Sequence, residues 1–386
     1  MKEPSSRRIS TALAVLLAVV GVALAAGATR GAGAVSSTVS PFFTGLENPR
    51  GLHWGPDGNL YVAEGGTGGD ITTVGQCPAV DVDGVSIEQV PFPVGPYLGS
   101  PTGSRISRIT PTPDFSQGTR DDVATGFPSS QTSALIGSFT SGVADLAFVG
   151  NTMYALVSGA GCSHGVAGIP NEIVRINADG SWTHIADLSD YYREHPVAHP
   201  ELDDFEPDGT PYSMVAVRGD LFVVEPNHGE LDRVTTSGRI TRVVDYSAVF
   251  GHVVPTSVAY HGNFYIGNLG TLGDLGLHNQ FVAKVNPAGQ TQVVASGLQT
   301  VLGVAFDNRD RMYVLDMGGY VPRQGRVLRI DPSGRMAEVA SGFDHPTGIA
   351  FGPDGALYVS DRGFGYCSFG AGNCPADGRI MRVVVP

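Results

Sequence analysis

Short apolar runs alternate with tight polar turns along most of the chain, and one run keeps returning. It is an aromatic residue held between aliphatic ones, centred on Tyr61, Tyr154, Phe222, Tyr265, Tyr313 and Tyr358. The later intervals fall within the ~40 to 50 residues of a propeller blade, and the longer early ones read as blades carrying insertions. Around each centre four strand-like segments can be placed. A short apolar run comes first ("GLHW", "VADLAF", "SMVAV", "TSVAY", "LGVAF", "TGIAF"), and a turn such as "GPDGN" leads to the aromatic run. The third segment alternates apolar and polar residues and ends near a cation ("RISRI", "ELDRV", "RIMRV"), which suits a strand with one face on a neighbour and one toward water. The fourth reads "DVATGF", "HIADL", "RVVDY", "VVASGL" or "EVASGF".

The sixth unit lacks its fourth segment, because the sequence stops just after "RIMRVVV". A matching segment stands at the other end: "VSPFFTGL", from Val39 to Leu46. The pattern therefore predicts an all-β fold, a six-bladed β-propeller of four-stranded blades spanning residues 39–386, its last blade closed by an N-terminal strand. Closure of this kind leaves no open radial edge to pair with other chains.

In such a ring, connections from second to third strand and from one blade to the next share a face. The long stretches Gly65 to Gly103, Gly159 to Pro170, Ser189 to Pro211, Leu269 to Gln280, Met317 to Gln324 and Arg362 to Asp377 all belong to that face. The opposite face is left with turns like "NPAGQ" and "DPSGR". Rigid scaffolds tend to carry binding residues on their long loops, so function is expected on the elaborated face.

Composition adds a compartment. A basic start, "MKEPSSRR", precedes an apolar run from Ile9 to Ala28, with small-residue cleavage sites ending at Ala28 or Ala34. Residues 1–28 are read as an export signal, with cleavage as late as 34, and the protein as secreted; an uncleaved anchor is the alternative. The four cysteines, Cys77, Cys162, Cys367 and Cys374, all sit in the long loops and suit an oxidising compartment. Four cysteines allow three pairings; the expected one is Cys77–Cys162 and Cys367–Cys374, with free or metal-binding thiols as the alternative. A formal charge of −13 argues against nucleic acid and anionic lipid as partners. The expected partner is a small molecule or an extracellular protein on the loop-rich face of a monomer.

Candidate chemistry is thin. Three residues after each repeat aromatic stand Glu64, Val157, Glu225, Asn268, Asp316 and Asp361. A feature present in nearly every blade is read first as structural, each oxygen capping the turn after its strand. The alternative is that Glu64, Glu225, Asn268, Asp316 and Asp361 ring a cation, for which calcium is the fitting choice; no other cofactor is specified. "EPNHGELDRV" gathers Glu225, Asn227 and His228 in a short polar connection, and Arg50 and His345 precede first strands of neighbouring blades. These five are the candidate ligand-binding residues at the channel mouth. Asp203, Asp204, Glu206 and Asp208 form an acidic loop without EF-hand spacing. Neither G-x-S-x-G, H-E-x-x-H nor a phosphate loop is present, and no catalytic residue is named.

The ordered set "GLENPRGLHWGPDGNLYVAEGG", "PTGSRISRI", "IADLSDYYREHP", "DGTPYSMVAV" and "VPTSVAYHGNFYIGNL" resembles the ScyD/ScyE family, secreted bacterial propellers related to NHL-type repeats. Two of these are encoded in scytonemin pigment gene clusters. The resemblance covers nearly all of the chain after the leader and implies the same fold, with no activity or catalytic residues to carry over. Val157 departs from the family's strand-end acid. Two functions follow: a non-enzymatic binding or scaffold protein, which is preferred, or a secreted enzyme, either a calcium-dependent lactonase or hydrolase, or a quinone-dependent sugar dehydrogenase.

Overall fold

The computed structural model describes residues 37–385 apart from 83, 201, 203, 272, 273, 275 and 366–376. The leader, Asp203 and the pair Cys367 and Cys374 lie outside the described residues. Six antiparallel blade sheets carry the described chain, with a two-stranded ribbon, Val80–Val82 and Val85–Ile87, in the first insertion. Blade one takes Pro49–Trp54, Leu60–Glu64, Leu98–Pro111 and Gly118–Gln131, and blade two Val143–Val149, Thr152–Val157, Glu172–Ile176 and Trp182–Asp187. Blade three is Ser213–Val217, Asp220–Glu225, Glu230–Thr235 and Ile240–Asp245, followed by blade four from Pro255–Tyr260 to Thr291–Leu298. Blade five runs from Val301–Phe306 to Met336–Phe343. Blade six consists of Gly348–Phe351, Leu357–Asp361, Gly378–Val384 and, as outer strand, Thr38–Leu46. The innermost strands contact one another in sequence, and blade six meets blade one, which closes the ring.

The repeated "GPDG" and its aromatic are physically linked. In blade one the Asp57 carboxylate accepts from the Asn59 amide at 3.2 Å and from the Tyr61 hydroxyl at 2.9 Å. Asp354 does the same for Ala356 and Tyr358 in blade six, at 3.2 and 3.1 Å. Gly58 and Gly355 adopt φ of 78° and 77°, which a side chain would resist. Turn and strand are thus fixed by one local hydrogen-bond set.

Between blades the aliphatic residues interleave. Tyr61, Ala63, Ile106 and Phe127 of blade one pack against Val143, Leu146, Ala155 and Val174 of blade two. Equivalent layers follow round the ring, each fully buried aliphatic side chain contributing about 1.5–3 kcal/mol.

The described parts of the insertions lie on one face as expected, and Val82 and Ile87 of the first pack against Phe205 of the loop before blade three. Blade one's outer hairpin extends beyond the repeat, Leu98–Pro111 against Gly118–Gln131, because Ile71 and Thr72 of the insertion pair with Gly99 and Leu98. The insertion carries Cys77 to Cys162 in a short helical turn of blade two, and the two form a disulfide across 85 residues of sequence. A bridge closing so long a loop restricts the unfolded chain strongly. Replacing both cysteines by serine is expected to lower unfolding free energy by about 3–4 kcal/mol in chemical denaturation; a loss under about 1 kcal/mol would show that the loops are held by packing alone.

Candidate functional site: the central channel

The inner strands enclose a channel containing a cavity of about 170 Å³. Polar side chains reach it from His53, Asp145, Ser213, Ser257 and Thr347. His53 Nε2 lies 2.9 Å from Asp145 Oδ1. The other Asp145 oxygen accepts from Ser213 Oγ at 3.0 Å and from the Met214 amide at 2.8 Å, and Oδ1 also accepts the Leu146 amide at 2.9 Å. An ionised carboxylate can only accept, so His53 carries its proton on Nε2 and Nδ1 is the basic nitrogen. Asp145 is buried, whereas the His53 side chain remains 34% exposed. The network joins blades one, two and three, which makes it a feature of the ring and of no single blade.

Two sequence features could have found it. Aligned on the large apolar residue that ends each inner strand, His53 stands where the other units have Ala147, Ala216, Ala259, Ala305 and Ala350. Asp145 stands where they have Gly51, Met214, Ser257, Gly303 and Gly348. Gly51 is required by the pair: a Cβ there would lie 1.9 Å from Asp145 Oδ1.

The elaborated end of the channel is filled. The Arg50 guanidinium lies 4.4 Å from the Phe364 ring centre and 5.4 Å from that of Tyr212, donates to the Tyr212 hydroxyl at 3.2 Å, and donates to the Thr140 carbonyl. Phe139 packs on Phe364 and Tyr320, above buried Leu302 and Met317. Of the part-exposed lining residues, His53, Val215, Tyr260 and Ile349 belong to the end nearer the tight turns, and Gly51, Tyr212 and Ser213 lie further in.

The five expected ligand-binding residues are therefore placed differently from the expectation. Arg50, Glu225, Asn227, His228 and His345 are all buried, at 4, 0, 5, 2 and 3% exposure. Glu225 accepts the amides of Thr210 and Asn227 at 2.7 and 3.1 Å and that of His228. Asn227 is bonded to Glu206 and Asp204 main chain at 2.6 Å each, and His228 Nε2 to the Glu206 carbonyl at 3.0 Å. Asp204 and Glu206 of the acidic loop thus fold over the blade-three turn instead of leaving it open. His345 Nδ1 meets Asp344 at 2.7 Å beside a second cavity, of about 250 Å³, that Arg362 and Asp377 also line.

Nor do the strand-end oxygens share a centre. Glu64 accepts the Glu47 amide at 2.5 Å and pairs with Arg120 at 2.9 Å. Asp316 accepts the Thr300 and Gly318 amides at 3.0 and 3.1 Å and pairs with Arg326 at 2.9 Å. Asp361 accepts the Asp344 amide at 2.6 Å and pairs with Arg379 at 2.7 Å. The Asn268 amide donates to the Phe281 carbonyl at 3.0 Å. The carboxylates each serve their own blade, as turn cap and, for Glu64, Asp316 and Asp361, as partner of an arginine on a neighbouring strand, while the Asn268 oxygen has no hydrogen-bond partner among the described residues. Among the described residues, the group of three His, Cys, Asp or Glu side chains close enough for one ion is Cys77, Cys162 and Asp208, and its sulfurs are joined in the disulfide.

Under the loops between blades two and three lies a set of displaced titrations. Burial drives the His164 imidazole down to about 3 and the Asp208 carboxyl up to about 7. Burial also raises Glu206 well above the carboxylate range, against a hydrogen bond from the Tyr97 hydroxyl. His164 and Glu206 lie 3.5 Å apart.

These features define a six-bladed propeller with a polar channel, and the comparisons agree on the fold. No family model matches the chain, and no curated protein matches it. A solved structure assigned as an oxidoreductase (glucose dehydrogenase) from Thermus thermophilus is similar with TM-score 0.54 and 18% identity, covering 90% of this chain and 100% of that one. A protein of unknown function from Bacteroides thetaiotaomicron gives TM-score 0.53 at 12% identity, over 90% and 76%. A luciferin-regenerating enzyme gives 0.51 at 10%, over 90% and 95%. At such identities the likeness establishes architecture and leaves chemistry to the residues.

Proposed function

We propose that the protein binds a small polar molecule in the central channel, entering from the tight-turn end, with His53 as the recognising group. The observation that carries this is the His53–Asp145–Ser213 network in a cavity of about 170 Å³. A small pocket with a few convergent polar groups is the ordinary form of a ligand site. The burial of the five loop-face residues supports a site in the channel over one on their side chains. A small hydroxylated or carbonyl-bearing ligand fits the donors and acceptors of His53, Ser213, Ser257 and Thr347. The export reading and the ScyD/ScyE resemblance belong to the same proposal; the Cys77–Cys162 bridge supports the first. No helix among the described residues is long and apolar enough to cross a membrane.

A thermal-shift screen of sugars, sugar lactones and small aromatic acids tests the site, since ligand at a hundred times its Kd stabilises the native state by about 2.7 kcal/mol. His53→Ala is expected to abolish the shift, and Ser333→Ala, in an exposed turn, to leave it intact. A hit indifferent to His53 would place binding elsewhere.

One observation favours a second reading, in which the bound molecule is also transformed. Asp145 holds His53 in one tautomer, the arrangement that prepares an imidazole as general base. Turnover of a bound lactone or ester by wild type, lost in His53→Gln with binding retained, would establish it.

A further inference from the structure

We infer that a calcium ion binds between blades two and three, held by Asp232, Glu230 and the Tyr192 hydroxyl, independently of the channel. Strand register carries the argument. In blades five and six the strand-end acid faces an arginine on the third strand, Asp316 opposite Arg326 and Asp361 opposite Arg379; in blade one Glu64 faces Arg105. Blade three reverses the sign: Glu225 faces Glu230. Like charges directly opposite on a sheet repel. Two residues further along the same face comes Asp232, opposite Val223 and within the layer where Leu221, Val223 and Val234 pack against blade two.

Three carboxylates thus share one fully buried face. Glu225 is occupied by the three loop amides described above. Glu230 gives Oε2 to Arg242, while its Oε1 has no hydrogen-bond partner. Neither oxygen of Asp232 has one either, although the residue is 0% exposed. The Tyr192 hydroxyl, 1% exposed on the helix Leu188–Glu194, is a fourth partnerless oxygen. Tyr192 packs in the same layer, with Leu221, Val223 and Val234, onto which Asp232 projects.

Burying one unpaired carboxylate costs several kcal/mol, and a fold does not ordinarily keep such a group without a counter-charge. Arg242 pairs with Glu230 Oε2, and among the described residues no cation pairs with Asp232. The donors are all hard oxygens, with no thiolate or imidazole among them, which selects a cation of the calcium type over zinc or copper. Asp232 can bind through both oxygens, with Glu230 Oε1 and Tyr192 completing the protein's share and further positions left to water.

The test uses the full-length protein stripped with EDTA and titrated with calcium at neutral pH. One ion per chain is expected to bind, and Asp232→Asn to weaken it about 100-fold, with Glu230→Gln about 10-fold. Terbium, a luminescent stand-in, is expected to emit on tyrosine excitation, less so in Tyr192→Phe. Thermal unfolding of wild type in calcium and in EDTA gives a readout that survives misfolding of any variant: the midpoint rises with calcium. Asp232→Leu, matched to its aliphatic layer, should remove that dependence. Absence of stoichiometric binding, binding unchanged by Asp232→Asn, or equal wild-type midpoints in calcium and EDTA would overturn the inference and leave protons as the counter-charge.

Discussion

Deleting residues 37–46 is expected to unfold the ring rather than trim it. Thr38–Leu46 is the outer strand of blade six, hydrogen-bonded along Gly378–Val384. It buries Phe42 and Leu46, at 3 and 0% exposure, and Phe42 packs edge-on against Tyr358 with ring centres 5.0 Å apart. Losing a buried phenylalanine alone costs about 3–5 kcal/mol and a buried leucine about 2–5. Together these approach the whole stability of a typical domain, about 5–15 kcal/mol. The exposed edge of Gly378–Val384 would then invite pairing between chains. Circular dichroism melting and sedimentation of the deletion variant check this. A midpoint within a few degrees of wild type, with no aggregation, would mean that the terminal strand is dispensable.

The second large effect is on pH. In EDTA, stability is expected to peak in mildly acid solution and to fall on both sides. On the alkaline side, burial raises Asp208 to about 7 and Glu230 to about 8, the latter against the pull of Arg242. A carboxyl raised in the folded state binds protons that the unfolded chain has released, so its contribution is full below the unfolded pKa and is lost as pH climbs toward 7 and 8. His164 acts the other way. Burial lowers it to about 3, so its contribution is full above the ordinary histidine value of 6.5 and is lost as pH falls toward 3. Moving a pKa by one on folding is worth about 1.4 kcal/mol, which makes the combined loss toward alkaline pH several kcal/mol. Asp208→Asn should flatten the alkaline limb below pH 7, and added calcium should flatten it near pH 8 if the ion occupies Glu230 and Asp232. Denaturation midpoints across the pH range measure both. A profile that rises steadily with pH would contradict the burial of these acids.

Blade three shows how far local pattern reaches. Its strands were readable from "SMVAV", "LFVVE" and "ELDRV", because alternation along a strand reports which residues face inward. The exchange of arginine for Glu230 opposite Glu225 was also readable in principle, since hairpin register follows from turn length. What the sequence could not show is that residues 204–210 fold back over the turn and bury Glu225, Asn227 and His228. A polar loop looks the same whether water or another loop covers it.

The order of apolar runs and turns by itself determined the six blades, the closing strand from Val39 to Leu46 and the face that carries the insertions, and it made Cys77–Cys162 one expected pairing among three. All of these rest on hydrogen bonds between neighbouring segments or on loops that the ring geometry assigns to one side. The tertiary structure alone decided that Arg50 closes the channel under Phe364 and that His53, Asp145 and Ser213 meet within it. His53 and Asp145 are 92 residues apart in sequence, Asp145 and Ser213 68. Their contact depends on the angle and spacing of three packed blades, and those are set by side-chain volumes between sheets, a sum over many residues that no single repeat unit contains.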